Sequence, residues 1–118
     1  MNILVVDDDL ILCTGLSYFL ERNGYTVFSA SDALQALDVM ERQPIDLIIT
    51  DYLMPHVDGI RFTEMLKADA RFQSIPVLLI TGSMDSAVSD KGLRKGVALT
   101  LQKPVDMGQL LNLVRFAE

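Results

Sequence analysis

The stretch Leu47-Ile48-Ile49-Thr50-Asp51-Tyr52-Leu53-Met54-Pro55-His56-Val57-Asp58-Gly59 decides how this chain folds. It begins as a short apolar run, meets a carboxylate, and then breaks into a segment punctuated by Pro and Gly. A run of that length and composition reads as a buried strand ending in a reactive group. Three further runs share the plan. Ile3-Leu4-Val5-Val6 leads into Asp7-Asp8, Val77-Leu78-Leu79-Ile80 into Thr81, and Leu99-Thr100-Leu101-Gln102 into Lys103-Pro104. If all are parallel strands of one sheet, their carboxyl ends share one edge. Three carboxylates, a hydroxyl and an ammonium then converge there.

The segments between the runs have helical length and spacing. Residues 9–23 carry Leu12, Leu16, Phe19 and Leu20 on one face, and Asn23-Gly24 stops that helix. Tyr25 to Phe28 alternate, as in a strand with one face less buried. Ser31 or Asp32 caps a second helix with Ala33, Ala36, Leu37 and Met40 inward, closed by Pro44. A third follows Asp58-Gly59, with Phe62, Met65 and Leu66 inward. Residues 85–95 form a fourth, anchored only by Ala87, Val88 and Leu93, with Gly92 inside it. Asp106 caps a fifth with Met107, Leu110, Leu111 and Val114 on one stripe. The order is (βα) five times, in one α/β domain spanning residues 1–118. Such a chain folds as a doubly wound five-stranded parallel sheet of order 2-1-3-4-5. Ligands bind where the strand order reverses, beyond the ends of strands 1 and 3, where Asp7, Asp8 and Asp51 lie.

Composition narrows the function classes. The chain has 118 residues and a formal net charge of −6, which argues against direct nucleic-acid binding. Its single cysteine, Cys13, has no internal partner and reads as a small buried hydrophobe. Cysteine-poor composition, with no apolar run of membrane-spanning length and no signal-peptide pattern, points to a cytoplasmic chain with no membrane role. His56, the only histidine, sits in a Pro-flanked loop and reads as solvated. Asp9 reads as a helix cap.

The edge has a definite chemistry. Carboxylates packed together repel, and one would take up a proton without compensation. Lys103 neutralises one charge, and a hard divalent cation, Mg²⁺ or Mn²⁺, suits the remainder. A carboxylate can attack phosphorus to give an acyl phosphate, and the phosphoryl oxygens then need a metal, a cation and donors. Asp51, at the end of the central strand, is the best-placed nucleophile, with Thr81 and Lys103 as supports.

At these residues the chain resembles the receiver domain of two-component response regulators. The resemblance covers the whole chain. It rests on Asp7-Asp8, on Asp51 through Gly59 as a D-x-x-M-P-x-x-D-G segment, on Thr81-Gly82 and on Lys103-Pro104. It implies that Asp51 accepts a phosphoryl group from a histidine kinase or a histidine phosphotransfer protein. It implies Mg²⁺ held by Asp7, Asp8, Asp51 and the backbone carbonyl of Leu53, with Thr81 and Lys103 on the phosphoryl oxygens. It also implies a cis peptide between Lys103 and Pro104. The domain would be a switch rather than an enzyme, and would pair with partners or itself through the fourth helix, fifth strand and fifth helix. Lys91, Arg94, Lys95 and Arg115 would put positive charge on or near that face.

Two departures stand out. The fifth-strand position three before the lysine is usually aromatic in this family, and here it is Thr100. Signal transmission through a turning ring in that strand is therefore not expected; the loop after Thr81 and the fourth helix are expected to carry it. The positions two after Asp51 and two after Thr81, often polar to place a hydrolytic water, are Leu53 and Ser83. Leu53 cannot do so, which implies a long-lived phosphoryl group. Two other readings compete: a pseudo-receiver that only binds partners, and an aspartyl-phosphate phosphatase. Retention of the full residue set argues against the first. The second wants an acid where Leu53 stands. A flavin or dinucleotide would be repelled by Asp7-Asp8-Asp9.

Overall fold

The computed structural model describes residues 1–82 and 86–118, and the side chain of Ser86 is not among the described groups. Five strands alternate with five helices: β1 (Asn2–Val6), α1 (Leu10–Arg22), β2 (Thr26–Ala30), α2 (Ala33–Arg42), β3 (Leu47–Asp51), α3 (Gly59–Lys67), β4 (Val77–Thr81), α4 (Ser86–Arg94), β5 (Leu99–Gln102) and α5 (Met107–Ala117). The strands form one parallel sheet in the order β2-β1-β3-β4-β5. The expected doubly wound fold and strand order are both present.

The central strands are buried on both faces, which is why they read as continuous apolar runs. Ile3, Val5, Ile49, Leu78, Ile80 and Leu101 pack under α1 and α5. Leu4, Val6, Ile48 and Val77 pack on the other side with Phe62 and Leu66 of α3 and the small face of α2. The edge strands differ. Val27 and Phe28 of β2 are both half-buried, so its alternation is weaker than its sequence suggests. Leu99 of β5 stays 40% exposed.

Aspartates start four of the helices. Asp9, Asp32, Asp58 and Asp106 each accept backbone N–H groups of the first turn at 2.7–3.2 Å. Asp32, not Ser31, is the cap of α2; the Ser31 N–H and hydroxyl instead donate to Gln35 Oε1. At the other end of α1, Asn23 and Gly24 close the helix, with Gly24 at φ +94° and Tyr25 N–H donating to Leu20 O.

The fourth helix departs from expectation. Ala87 is exposed and Leu93 is 53% exposed, so neither anchors it. Val88 faces the sheet as expected, joined there by the buried Gly92. A Cβ at Gly92 would meet Val97 at 3.4 Å and Leu79 at 3.6 Å, so the helix backbone itself lies close to the sheet. Met65 and Leu37, expected inward, are half-buried. Ser83 and residue 85, the expected start of this helix, lie outside the described residues.

Candidate functional site

The strand order puts the ends of β1, β3, β4 and β5 side by side. Register sets Val6 opposite Thr50, Asp51 opposite Ile80, and Thr81 opposite Gln102. The residues that follow these positions therefore meet at the carboxyl edge. Asp7, Asp8 and Asp51 each offer a carboxylate oxygen, all within 4.8 Å of one another. Asp7 and Asp51 are buried, 3% and 6% exposed, whereas Asp8 is open to solvent. Lys103 Nζ lies 3.2 Å from Asp51 Oδ1. Thr81, 4% exposed, ends β4 beside Asp51 and accepts the Lys103 N–H on its carbonyl at 2.8 Å. The Lys103–Pro104 peptide is cis. Leu53 lies in the loop that leaves β3, its side chain 71% exposed.

Hydrogen bonds fix the Asp7 side chain and the backbone at Asp51. Asp7 N–H donates to Ala30 O at 3.0 Å, and Asp7 Oδ1 accepts the Asp9 N–H at 2.8 Å. The backbone of Asp51 is fixed by its neighbours: Thr50 Oγ1 donates to Asp51 O at 3.0 Å, and Tyr52 N–H donates to Ile80 O at 2.8 Å. Gly59 N–H returns to Tyr52 O at 2.7 Å and closes the loop. A Cβ at Gly59 would lie 2.4 Å from Asp51 O and 2.7 Å from Leu79 Cδ1. That glycine is required by close approach.

The electrostatics fit a cation. Burial, above all, pushes the Asp7 carboxyl up to about 6; Asp51 and Asp8 add repulsion, while the Asp9 N–H and Lys103 oppose the shift. Asp7 Oδ2 is buried and has no hydrogen-bond partner among the described residues. A buried anionic oxygen left unpaired among carboxylates is what a divalent cation would satisfy. The donor set is all oxygen, which suits Mg²⁺ or Mn²⁺ over a thiophilic metal. The chemistry open to such an edge is attack by a buried carboxylate on an electrophile whose negative oxygens are met by a metal, Lys103 and the end of β4.

Several sequence expectations are placed elsewhere. Asp9 is a cap, and its N–H also holds Asp7. Cys13 is buried, its thiol held above the usual range by desolvation and by the nearby Asp7 charge. His56 is exposed at φ 71°, the centre of a tight turn in which Val57 N–H donates to Pro55 O. Lys95 pairs with Glu64 of α3 at 2.9 Å, so its charge is directed to α3; Lys91, Arg94 and Arg115 are exposed. Sequence reasoning did not single out Thr50, and it read Gly59 as helix-start punctuation and the end of the D-x-x-M-P-x-x-D-G segment, not as a point of close approach. Thr50 lies within an apolar run, and the constraint on Gly59 comes from the folded-back Asp51 carbonyl and from Leu79, neither adjacent in sequence. No helix among the described residues is long and apolar enough to cross a membrane.

Known proteins share both sequence and fold. The family model for the response regulator receiver domain matches residues 3–115. The response regulator Rre1 of Synechocystis is 35% identical over 116 residues, covering 98% of this chain and 50% of that protein. The alkaline phosphatase synthesis transcriptional regulatory protein PhoP of Bacillus subtilis is 37% identical over 103 residues, covering 87% of this chain and 42% of that protein. The chain thus spans about half the length of such curated relatives. Among solved structures, a response regulator receiver protein from Pseudomonas putida superposes with a TM-score of 0.92 at 30% identity, covering 98% of this chain and 95% of that one. The chemotaxis response regulator CheY4 of Vibrio cholerae gives 0.91 at 26% identity, covering 99% and 98%. With that match over nearly its full length, the chain belongs to the response regulator receiver domain family, the phosphorylation-dependent switches of two-component signalling.

Proposed function

We propose that residues 1–118 act as a Mg²⁺-dependent switch in which Asp51 accepts a phosphoryl group from a histidine kinase or a histidine phosphotransfer protein. The observation that carries this reading is the buried Asp51 carboxylate, set within 4.8 Å of Asp7 and Asp8 oxygens and 3.2 Å from Lys103 Nζ. An Asp51 carboxylate oxygen attacks phosphorus, and the new O–P bond forms as the N–P bond of the donor phosphohistidine breaks. The bonding pair leaves with the imidazole nitrogen. Asp7, Asp8, Asp51 and the Leu53 carbonyl would hold the cation. Mg²⁺, or Mn²⁺, supplies neutralisation of charge on the phosphoryl oxygens. Lys103 releases Asp51 and meets a phosphoryl oxygen, and the Thr81 hydroxyl meets another.

The chain assists its own phosphotransfer but turns over no separate substrate. It acts in the cytoplasm and binds neither nucleic acid nor membrane. The phosphorylated form changes its association with partners, or with a second copy, through α4, β5 and α5. Supporting that face are the open edge of β5, the exposed Leu99 and Phe116, and the exposed cations Lys91 and Arg94 of α4.

The deciding experiment is labelling with acetyl phosphate and Mg²⁺. Wild type is expected to take up one phosphoryl group, and Asp51→Asn at least about tenfold less. Equal labelling of the two proteins would sink the Asp51 assignment.

A further inference from the structure

Tyr52 adjoins Asp51 in the chain yet belongs to the opposite face of the sheet. Side chains alternate along β3, so Ile49 and Asp51 share the α1 and α5 side, whereas Ile48, Thr50 and Tyr52 share the other. There Tyr52 packs, with Val88 of α4, against the buried trio Ile60, Leu79 and Val97. This trio is the footing of α4. Gly92 brings the helix backbone down onto Val97 and Leu79, and Leu79 also touches the position of Gly59 beside the Asp51 carbonyl. The backbone of Tyr52 is gripped from both sides, its N–H by Ile80 O and its carbonyl by Gly59 N–H.

The strand that would offer a ring to this face does not. Thr100 pairs with Leu79 in register, and its Oγ1 is buried without a hydrogen-bond partner among the described residues. Leu, Thr, Leu and Gln make up β5, so the aromatic group packed on this cluster beside Val88 of α4 comes from the residue that follows β3.

We propose that Tyr52 is the positioning residue that couples the phosphorylation state of Asp51 to the seating of helix α4. The inference rests on Asp51 being the acceptor. A phosphoryl group adds charge at the sheet edge and draws Thr81 toward it. Thr81 lies on the same face of β4 as Leu79, so its movement changes the space beside the Tyr52 ring. The ring repacks on Leu79 and Val97, and Val88 follows it. Because α4 stands on so few side chains, a small differential contact shifts its populations.

The test measures two quantities in the same proteins: acetyl-phosphate labelling of Asp51, and amide hydrogen exchange of residues 87–95 with and without beryllofluoride and Mg²⁺. Wild type is expected to label and to change its exchange in 87–95 by at least about threefold. Tyr52→Ala and Val88→Ala are expected to label within about twofold of wild type but to lose that exchange response, and Tyr52→Phe to keep it. A wild-type-sized response in Tyr52→Ala or Val88→Ala would overturn the coupling. If Tyr52→Ala does not fold, Val88→Ala decides alone. Labelled wild type with no response in 87–95 overturns the coupling while leaving the acceptor role intact. Absence of wild-type labelling overturns the acceptor reading itself.

Discussion

Leu53 stands two residues beyond Asp51 and turns its side chain to solvent, 71% exposed. A carboxamide or carboxylate there could hold and orient a water for attack on the aspartyl phosphate; an isobutyl group cannot. The phosphorylated form is therefore expected to persist, and Leu53→Asn to shorten its half-life several-fold. The check is decay of labelled protein at neutral pH after removal of the donor. Complete decay within seconds in wild type would refute it. At this scale the candidate site was largely legible. Asp7, Asp8, Asp51, Thr81 and Lys103 were identifiable because each follows a strand-like run, and side-chain chemistry is a property of the residue alone. What was not legible is what each residue experiences. The unpaired Asp7 Oδ2 and the buried thiol of Cys13 depend on atoms that other strands and helices bring in.

At the scale of elements, the caps were the clearest signals. Asp9, Asp58 and Asp106 act on N–H groups two or three residues on, so local sequence suffices. Helix faces were harder. Leu93 looked like an anchor of α4 because it is apolar, but the helix turns its neighbour Gly92 to the sheet. A residue with no side chain gives no periodic signal, and its value lies in letting two backbones approach. Gly59 at the start of α3 is the same case. Gly59→Ala is expected to destabilise the fold by about 1–3 kcal/mol, because its Cβ would press on the Asp51 carbonyl and on Leu79. It should also slow labelling, by displacing Asp51, the proposed acceptor. Urea unfolding together with acetyl-phosphate labelling checks both; a variant as stable as wild type would show that the loop can yield.

Across the whole molecule, the acidic edge is a cost to stability in the absence of metal. The Asp7 carboxyl is pushed up to about 6 by burial and its acidic neighbours, against an ordinary value of 3.8. Between those two pH values the native state binds more protons than the unfolded chain. Stability without metal therefore falls as pH rises from about 4 to about 6, and the full penalty stands above that range. Asp7→Asn removes the charge and keeps an oxygen for the Asp9 N–H. In EDTA at pH 7 it is expected to be more stable than wild type by on the order of 1–2 kcal/mol, with the difference fading near pH 4. Added Mg²⁺ should favour wild type by mass action and not the variant. Urea titrations at the two pH values, with and without Mg²⁺, check this; an Asp7→Asn protein less stable than wild type at pH 7 without metal would contradict it.

The sequence by itself determined the five strands, the caps and the kinds of groups at the strand ends. Those depend on side-chain periodicity and on hydrogen bonds that span a few residues. The parallel order could be inferred because crossover helices leave few alternatives. Only the tertiary structure decided the spacing of Asp7, Asp8 and Asp51, the raised Asp7 carboxyl, the need for Gly59, and the placing of Tyr52 rather than Leu93 on the cluster under α4. Distance, desolvation and steric fit sum over atoms from segments far apart in the chain, and a local pattern carries none of them.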